Sequence, residues 1–375
     1  MSQHDRDARV ERPRIVRRVT ARPRILTGDT PSGRLHLGHW VGSLENRVRL
    51  QDDYDCFFLL ANMHAYTTRA DKPDEIRRDT LEIAKDWLAA GIDPERSTLV
   101  LQTEIPAIAE LTWYFAMLTP FNRVMRNPTL KTEIEEKDLG DHYSFGFPLY
   151  AVGQCADILA FRAELVPVGE DQVAHIEMCR EVARRFNWTY AGIDPKTKDE
   201  EHVAAGGLFP VPSALIGRIG RLVGTDGKNK MSKSLGNAIL LTDTAKEIKK
   251  KMGALYTGRQ TLTEPGDTTN ALFQYVRAFV KDAARVAELE DRYSRGDNIG
   301  DGHVKAEVSA AIDELLGPMR ERRAALDGAA GDARVVEILH SHTVKANAVA
   351  EETLARAKEA MKLDFGRRAL SFGQS

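Results

Sequence analysis

Short apolar runs alternate with long amphipathic stretches through the first half of the chain. Residues 25–26, 55–61 and 97–101 form the short runs, and the last two are almost continuously apolar, which is typical of strands buried on both faces. A helical pattern of apolar positions fills residues 73–90, and Gly91 ends it. Strands separated by helices of this length predict a parallel, doubly wound α/β sheet of the Rossmann-like type.

A further strand is predicted at residues 164–168, with a helix at 173–186, and no strand pattern follows residue 241. The pattern of the remaining chain indicates helices at residues 244–252, 270–289, 302–326 and 333–363. Residues 127–141 are polar and are expected to be mobile. We therefore expect four parts: a disordered extension (1–22), an α/β domain (23–225), a connecting loop (226–243) and an α-helical domain (244–375).

Composition narrows the class of protein. The chain has 375 residues and a net charge of −2, so any nucleic-acid binding must come from local basic surfaces. Its three cysteines are far apart and predict neither a zinc ribbon nor a disulfide framework. No apolar run approaches the length of a membrane span, and the arginine-rich extension has no apolar core of a secretory signal. A cytoplasmic protein without a membrane partner is expected.

The first candidate site lies in residues 24–42, RILTGDTPSGRLHLGHWVG. A strand ends here in a glycine-containing turn, and His36 and His39 follow at a spacing that places both rings on one helix face. Such a strand, turn and helix N-terminus predict an anion site, because free backbone N–H groups and the helix dipole favour negative charge.

Other polar groups are placed where ligands are expected. His64 follows a buried strand, and Asp157 lies three residues after Gln154 in an apolar helix, where an unpaired carboxylate would be costly. Residues 224–237 are rich in glycine and lysine with almost no apolar anchoring, so we expect a mobile loop that could close over an anion. From the residues alone, Asp157 could instead bond to nearby backbone, and the lysines could be a solvated loop.

Two of these segments resemble signature motifs of the class I aminoacyl-tRNA synthetases. They are HLGH at residues 36–39 and KMSKS at 230–234. Within that class, four further segments are similar to the tryptophanyl-tRNA synthetase family: PSGRLHLGH at 31–39, ADIL at 156–159, VPVGEDQ at 166–172 and RFN at 185–187. The resemblance extends from about residue 24 to residue 363.

This resemblance implies activation of L-tryptophan by ATP to tryptophanyl-adenylate and pyrophosphate, followed by transfer to tRNA(Trp). Attack on the α-phosphate needs charge neutralisation and alignment more than a general base. The implied catalytic residues are His36, His39, Lys230, Ser232 and Lys233. The implied ATP-binding residues are Thr30, Pro31, Ser32, Gly38, His39, Gly169, Glu170, Asp171, Lys230, Met231, Ser232, Lys233 and Ser234. Mg²⁺ would be held through ATP and not by protein side chains.

For tryptophan, the resemblance implies that Asp157 accepts the indole N–H. Tyr150 and Gln172 would orient the ammonium and carboxylate, with His64 and Gln154 nearby. It further implies that residues 23–225 bind ATP and tryptophan, that 244–375 bind the tRNA anticodon, and that the enzyme is a homodimer.

Two departures keep alternatives open. The commoner bacterial tryptophan enzymes have methionine in place of Gln154 and proline in place of Ala151, which indicates an auxiliary bacterial subtype. A glutamine at this position is also a feature of tyrosine–tRNA ligases, so such a ligase is one alternative. A synthetase-like amino-acid-binding or regulatory protein that does not charge tRNA is the other.

Overall fold

Five parallel strands form the central sheet in the order β3-β2-β1-β4-β5. This computed structural model describes residues 22–217, 219, 221–259, 261 and 263–366, so the extension predicted at 1–22 lies outside the described residues except for Arg22. The strands are β1 (Arg24–Asp29), β2 (Asp55–Leu60), β3 (Ser97–Leu101), β4 (Leu165–Val168) and β5 (Ser213–Ile216). The parallel Rossmann-like sheet predicted from the sequence is confirmed.

Helices connect and cover the strands. Those before β5 are α1 (Leu37–His39), α2 (Glu45–Leu50), α3 (Asn62–Arg69), α4 (Pro73–Ala90), α5 (Pro106–Leu118), α6 (Phe121–Met125), α7 (Pro128–Glu136), α8 (Gly146–Ala160) and α9 (Val173–Ala191). Those after it are α10 (Ala245–Ala254), α11 (Ala271–Phe279), α12 (Ala283–Arg295), α13 (Asp301–Ala324) and α14 (Gly328–Ala360). No described helix is long and apolar enough to cross a membrane.

Strand β2 shows why its sequence is continuously apolar. Cys56, Phe58 and Leu60 face one hydrophobic cluster, whereas Phe57 and Leu59 face the other. Because side chains alternate across a strand, both faces of β2 are buried beneath helices. The cysteines at 56, 155 and 179 are all buried and free.

The long helix α14 covers the outer edge of the sheet at β3. Val335 and Leu339 join the first cluster, and Ala350 and Leu354 join the second. The backbone N–H of Leu99 donates to His342 Nδ1 at 3.0 Å, so α14 satisfies a polar group that an edge strand would otherwise expose. The C-terminal helices are therefore packed directly on the sheet.

Two expectations from the sequence were wrong, and one strand was not predicted. Residues 127–141 contain α7, capped by the Asn127 side chain, which accepts from Thr129 N at 3.0 Å. The predicted helix at 270–289 is divided into α11 and α12, because Asp282 begins a new helix by accepting from Ala284 N. Strand β5 was not predicted, since its four residues form too short a pattern to distinguish from a loop.

The strand order determines where the candidate site lies. From β1 the chain moves outward through β2 and β3, and then returns to β4 on the other side of β1. The carboxyl ends of β1 and β4 therefore flank the crevice at which parallel α/β sheets bind ligands. The turn after Asp29 and the 169–172 turn after Val168 both open there.

Candidate active site

The histidine pair caps its own helix. His36 Nδ1 accepts the Gly38 N–H at 3.1 Å, and His39 Nδ1 accepts the His36 N–H at 3.2 Å. The rings lie 3.8 Å apart between centroids. Because each Nδ1 accepts a hydrogen bond, the single proton of each neutral ring lies on Nε2, so each ring has one N–H group available as a donor.

This capping corrects the expectation of free backbone N–H groups at that helix N-terminus. The Gly38 and His36 N–H groups bond to the histidines themselves, and the Leu37 N–H bonds to Ile239 O at 2.9 Å. Recognition of an anion here would therefore depend on imidazole N–H groups and lysines, with little contribution from the backbone.

Both rings are neutral at pH 7. Burial and the nearby positive charges lower the pKa of His36 far below its ordinary value. Burial lowers the pKa of His39 to about 4, although the carboxylate of Asp29 acts in the opposite direction. The pair can consequently donate hydrogen bonds without a fixed positive charge.

The KMSKS loop is held by Asn237, which is 3% exposed. Its side chain accepts the Ser232 N–H at 2.7 Å and donates to Lys230 O and to Asp226. Met231 is also buried, 2% exposed, in the hydrophobic cluster below. The expectation that this loop has almost no apolar anchoring was therefore wrong.

The two loop lysines reach opposite sides of the crevice. Lys233 Nζ donates to Arg34 O at 2.9 Å and lies 3.5 Å from Ser32 Oγ, beside the turn after β1. A left-handed φ of 90° at Gly33 shapes this turn. Lys230 Nζ donates to Asp171 Oδ2 at 2.9 Å, in the turn after β4.

The contacts of the two lysines affect the pKa values of the charged groups in the crevice. Although burial opposes it, Lys230 holds the pKa of Asp171 below its ordinary value. Burial lowers the pKa of Lys233, which is partly compensated by surrounding carboxylates. Two cationic amines and two imidazole N–H donors thus converge on one crevice, an arrangement suited to a polyphosphate.

A second cluster of polar side chains surrounds Asp157 on α8. The Gln102 side-chain amide donates to Asp157 Oδ1 at 2.8 Å and lies 3.0 Å from His64 Nε2. Asp157 Oδ2 lies 3.6 Å from His64 Nε2, which is longer than a hydrogen bond. Burial lowers the pKa of His64 to about 4, so His64 is neutral at pH 7 and the two form no ion pair.

Helix α8 brings Tyr150 to the same group. Its hydroxyl lies 3.1 Å from His175 Nε2, and its ring lies 5.8 Å from the His64 ring. The absence of a side chain at Gly153 allows the His64 ring to lie close to α8, because a Cβ there would lie only 3.0 Å from His64 Nε2. A polar pocket of Asp157, His64 and Tyr150 is therefore built from two chain segments, α8 and α3.

The remaining predicted residues lie around these two groups. Gln172 Nε2 is 3.4 Å from Asp171 Oδ2, and the Ser232 and Ser234 hydroxyls are 2.9 Å apart. Gln154 is half-buried on α8. The others lie in the turns after β1 and β4: Thr30, Pro31, Gly169 and Glu170.

Sequence reasoning missed several residues that support the site. The carboxylate of Asp29 accepts Arg47 Nη1 at 2.6 Å and Trp87 Nε1 at 2.8 Å, and its charge acts on the pKa of His39. The other two are Gln102 and Asn237. The available signal was a polar residue at the carboxyl end of a buried strand: Asp29 ends β1, and Gln102 directly follows β3.

No group of three or more histidine, cysteine, aspartate or glutamate side chains able to hold a metal ion occurs among the described residues. The donors around the crevice are mainly N–H groups and amines, which fit phosphate oxygens and not a cation.

Comparison with known proteins agrees with this geometry. A family model described as "tRNA synthetases class I (W and Y)" matches residues 18–317, and the chain belongs to this family of aminoacyl-tRNA synthetases. The family includes enzymes for tryptophan and for tyrosine, so close relatives are needed to separate the two.

Three similar proteins are tryptophan enzymes. The chain is 42% identical to the tryptophan–tRNA ligase of Clostridium longisporum, across 91% of this chain and 97% of that one. It is also 42% identical to the tryptophan–tRNA ligase of Lactococcus lactis, across 92% and 99%. A tryptophanyl-tRNA synthetase from Campylobacter jejuni, solved with ADP and tryptophan, aligns with a TM-score of 0.73 and 31% identity, covering 91% of this chain and all of that one. These similarities support tryptophan–tRNA ligase function over the tyrosine alternative.

Proposed function

We propose that this tryptophan–tRNA ligase activates L-tryptophan with ATP across the crevice between β1 and β4 and then transfers it to tRNA(Trp). The convergence of Lys233, Lys230 and the histidine pair on that crevice carries the proposal. The Campylobacter relative was solved with ADP and tryptophan, which supports a site that takes both a nucleotide and the amino acid.

In the first step, the tryptophan carboxylate attacks the α-phosphate of ATP and pyrophosphate leaves. The Nε2–H groups of His36 and His39 would donate to phosphate oxygens, while Lys230 and Lys233 neutralise the charge that grows on the leaving group. Binding of ATP would draw Lys230 away from Asp171, because a polyphosphate offers more negative charge than one carboxylate. Mg²⁺ bound to the phosphates would supply further charge neutralisation and keep several of its waters.

Asp157 would select tryptophan. Its Oδ1 is occupied by Gln102, whereas Oδ2 has no neighbour within hydrogen-bond distance among the contacts described above and can accept an indole N–H. Phenylalanine would leave Oδ2 of this buried carboxylate without a donor, and sites of this kind reject such analogues by roughly 10⁴–10⁵. Tyr150, Gln172, His64 and Gln154 would orient the rest of the amino acid.

Amino-acid-dependent ATP–pyrophosphate exchange tests this function. Exchange should occur with tryptophan and not with tyrosine or the other amino acids. Charging of tRNA(Trp) in the same preparation then separates a ligase from an amino-acid-binding protein that forms no tRNA product. Exchange with tyrosine alone, or with no amino acid, would overturn the proposal.

We further propose that residues 23–225 form the catalytic domain with the 226–243 loop, that residues 244–375 bind the tRNA anticodon, and that the enzyme is a homodimer. Basic side chains on α10, such as Lys246 and Lys250, are exposed and suit an RNA backbone. Trp113, Met117 and Phe121 on α5 and α6 are each at least 60% exposed, and a second copy of the chain would remove this apolar surface from water.

A further inference from the structure

A buried ion network joins the C-terminal helices to the sheet region. Arg323, near the end of α13, is 4% exposed. Its guanidinium meets two carboxylates of α4: Nη2 lies 2.7 Å from Glu82 Oε2, and Nε lies 3.2 Å from Asp86 Oδ1. Nη1 donates to Asp327 at 2.5 Å. Arginine suits this position because its planar fork can bind several acceptors at once.

The same two carboxylates hold the turn after β1. Asp86 Oδ2 accepts the Leu35 N–H at 2.7 Å, and Glu82 Oε2 accepts Arg34 Nε at 2.8 Å. Each carboxylate thus bonds to Arg323 on one side and to the turn on the other. We call Arg34, Glu82, Asp86 and Arg323 the Arg323 network.

The network ends at groups assigned to ATP. Leu35 directly precedes His36, and the carbonyl of Arg34 accepts Lys233 Nζ at 2.9 Å. A displacement of this turn would therefore move both the histidine pair and the acceptor of Lys233. No residue of α13 itself is needed in the crevice for this effect.

A second contact of α13 reaches the other side of the turn. Arg320 Nη1 donates to Asp243 O at 3.0 Å, and Asp243 Oδ2 accepts the Leu240 N–H at 2.9 Å. Leu240 pairs with His36 in an isolated antiparallel bridge. The last turns of α13 consequently support both chain segments that meet at His36.

A contribution to folding stability does not by itself explain why such a network is buried here. Asp86 is 1% exposed, and its burial raises the pKa of the carboxyl above its ordinary value, against the effects of the Leu35 N–H and Arg323. Replacing buried ion pairs by apolar residues is often neutral or stabilising, so the better-attested use of these pairs is to fix one arrangement.

We propose that Arg323 is a positioning residue for tryptophan activation, which acts through Asp86 and Glu82 to hold the 33–35 turn, His36 and the acceptor of Lys233 in the ATP-binding arrangement. The inference rests on the proposed function, because it assigns these groups to ATP. It also couples the helical part of the chain to the catalytic crevice.

Arg323→Lys and Arg323→Gln test this role, with Arg322→Gln as the matched control. Arg322 is exposed in the same helical turn and bonds to α4 only at Ala89 O, away from the crevice. The Arg323 variants should lower kcat/KM for ATP in pyrophosphate exchange by about tenfold or more, as expected for losing a charged hydrogen-bond partner. Tryptophan affinity should change less than about twofold, and Arg322→Gln should behave as wild type.

Arg323→Lys keeps the positive charge and is included in case Arg323→Gln does not fold. Thermal unfolding is measured on every variant. Asp86→Asn, alone and combined with Arg323→Lys, should give strongly non-additive losses, because both substitutions interrupt the same connection. The inference is overturned if kcat/KM for ATP follows only the loss of folded protein, if ATP and tryptophan affinities fall together, or if the losses add. Absence of tryptophan-dependent exchange in the wild-type enzyme would instead overturn the proposed function.

Discussion

The pH dependence of tryptophan binding is the sharpest test of the role given to Asp157. The carboxylate is 2% exposed, and burial raises its pKa to about 7, against the hydrogen bond from Gln102. Only the ionised carboxylate is a full acceptor for the indole N–H, so tryptophan binding should favour loss of this proton. Tryptophan affinity should therefore fall as the pH falls below about 7.

The magnitude follows from that pKa. Below it, each pH unit should raise the apparent Kd about tenfold, which gives roughly thirtyfold between about pH 8 and pH 5.5. Burial lowers the pKa values of His64 and His175 to about 4, so neither ring titrates in this range.

The raised pKa of Asp157 also affects folding stability, which should change with pH in the opposite direction to tryptophan affinity. The folded enzyme keeps the Asp157 proton up to about pH 7, whereas the unfolded chain releases it near 3.8. The contribution of Asp157 to folding stability should therefore decrease as the pH rises through this interval, by up to about 4 kcal/mol.

Equilibrium dialysis with labelled tryptophan measures the profile, and Asp157→Asn is the matched variant. Asparagine has nearly the same shape but does not titrate, so the variant should bind weakly with a flat profile. A flat wild-type profile across this range would refute the reasoning, as would an Asp157→Asn enzyme that keeps the wild-type slope.

Three further substitutions test other parts of the structure. Lys233→Ala should lower kcat for pyrophosphate exchange by roughly 10²–10³ with little change in tryptophan affinity, because charge stabilisation of the leaving group is lost. Arg47→Met should lower the free energy of unfolding by about 3 kcal/mol, measured by urea denaturation, since it leaves Asp29 without its bidentate partner. Met117→Glu should convert a dimer into a monomer in size-exclusion chromatography with light scattering, because it places a charge in the proposed apolar interface.

Each substitution has a control of similar chemistry at a neutral position. Lys196→Ala removes an exposed lysine outside the crevice, and Arg49→Met removes an exposed arginine from the same helix as Arg47. Val344→Glu introduces a charge at a residue that is 60% exposed on α14. Equal effects in a variant and its control would contradict the role assigned to that residue.

Local patterns in the sequence determined the main architecture. The apolar runs of β2 and β3 indicated strands buried on both faces, and their spacing by long helices indicated a parallel sheet. The motifs around His36 and Lys230 could also be recognised locally, because each is a continuous segment. Short elements such as β5 escaped prediction, since four residues carry too little periodicity.

Tertiary structure decided which side chains act together. Gln102 reaches Asp157 from 55 positions away, and Lys230 pairs with Asp171 across 59 positions. Arg323 meets Asp86 from a separation of 237 residues. The sequence records the periodicity that forms each helix and strand, but partners at such distances depend on the strand order that brings the ends of β1 and β4 together and packs α13 against α4.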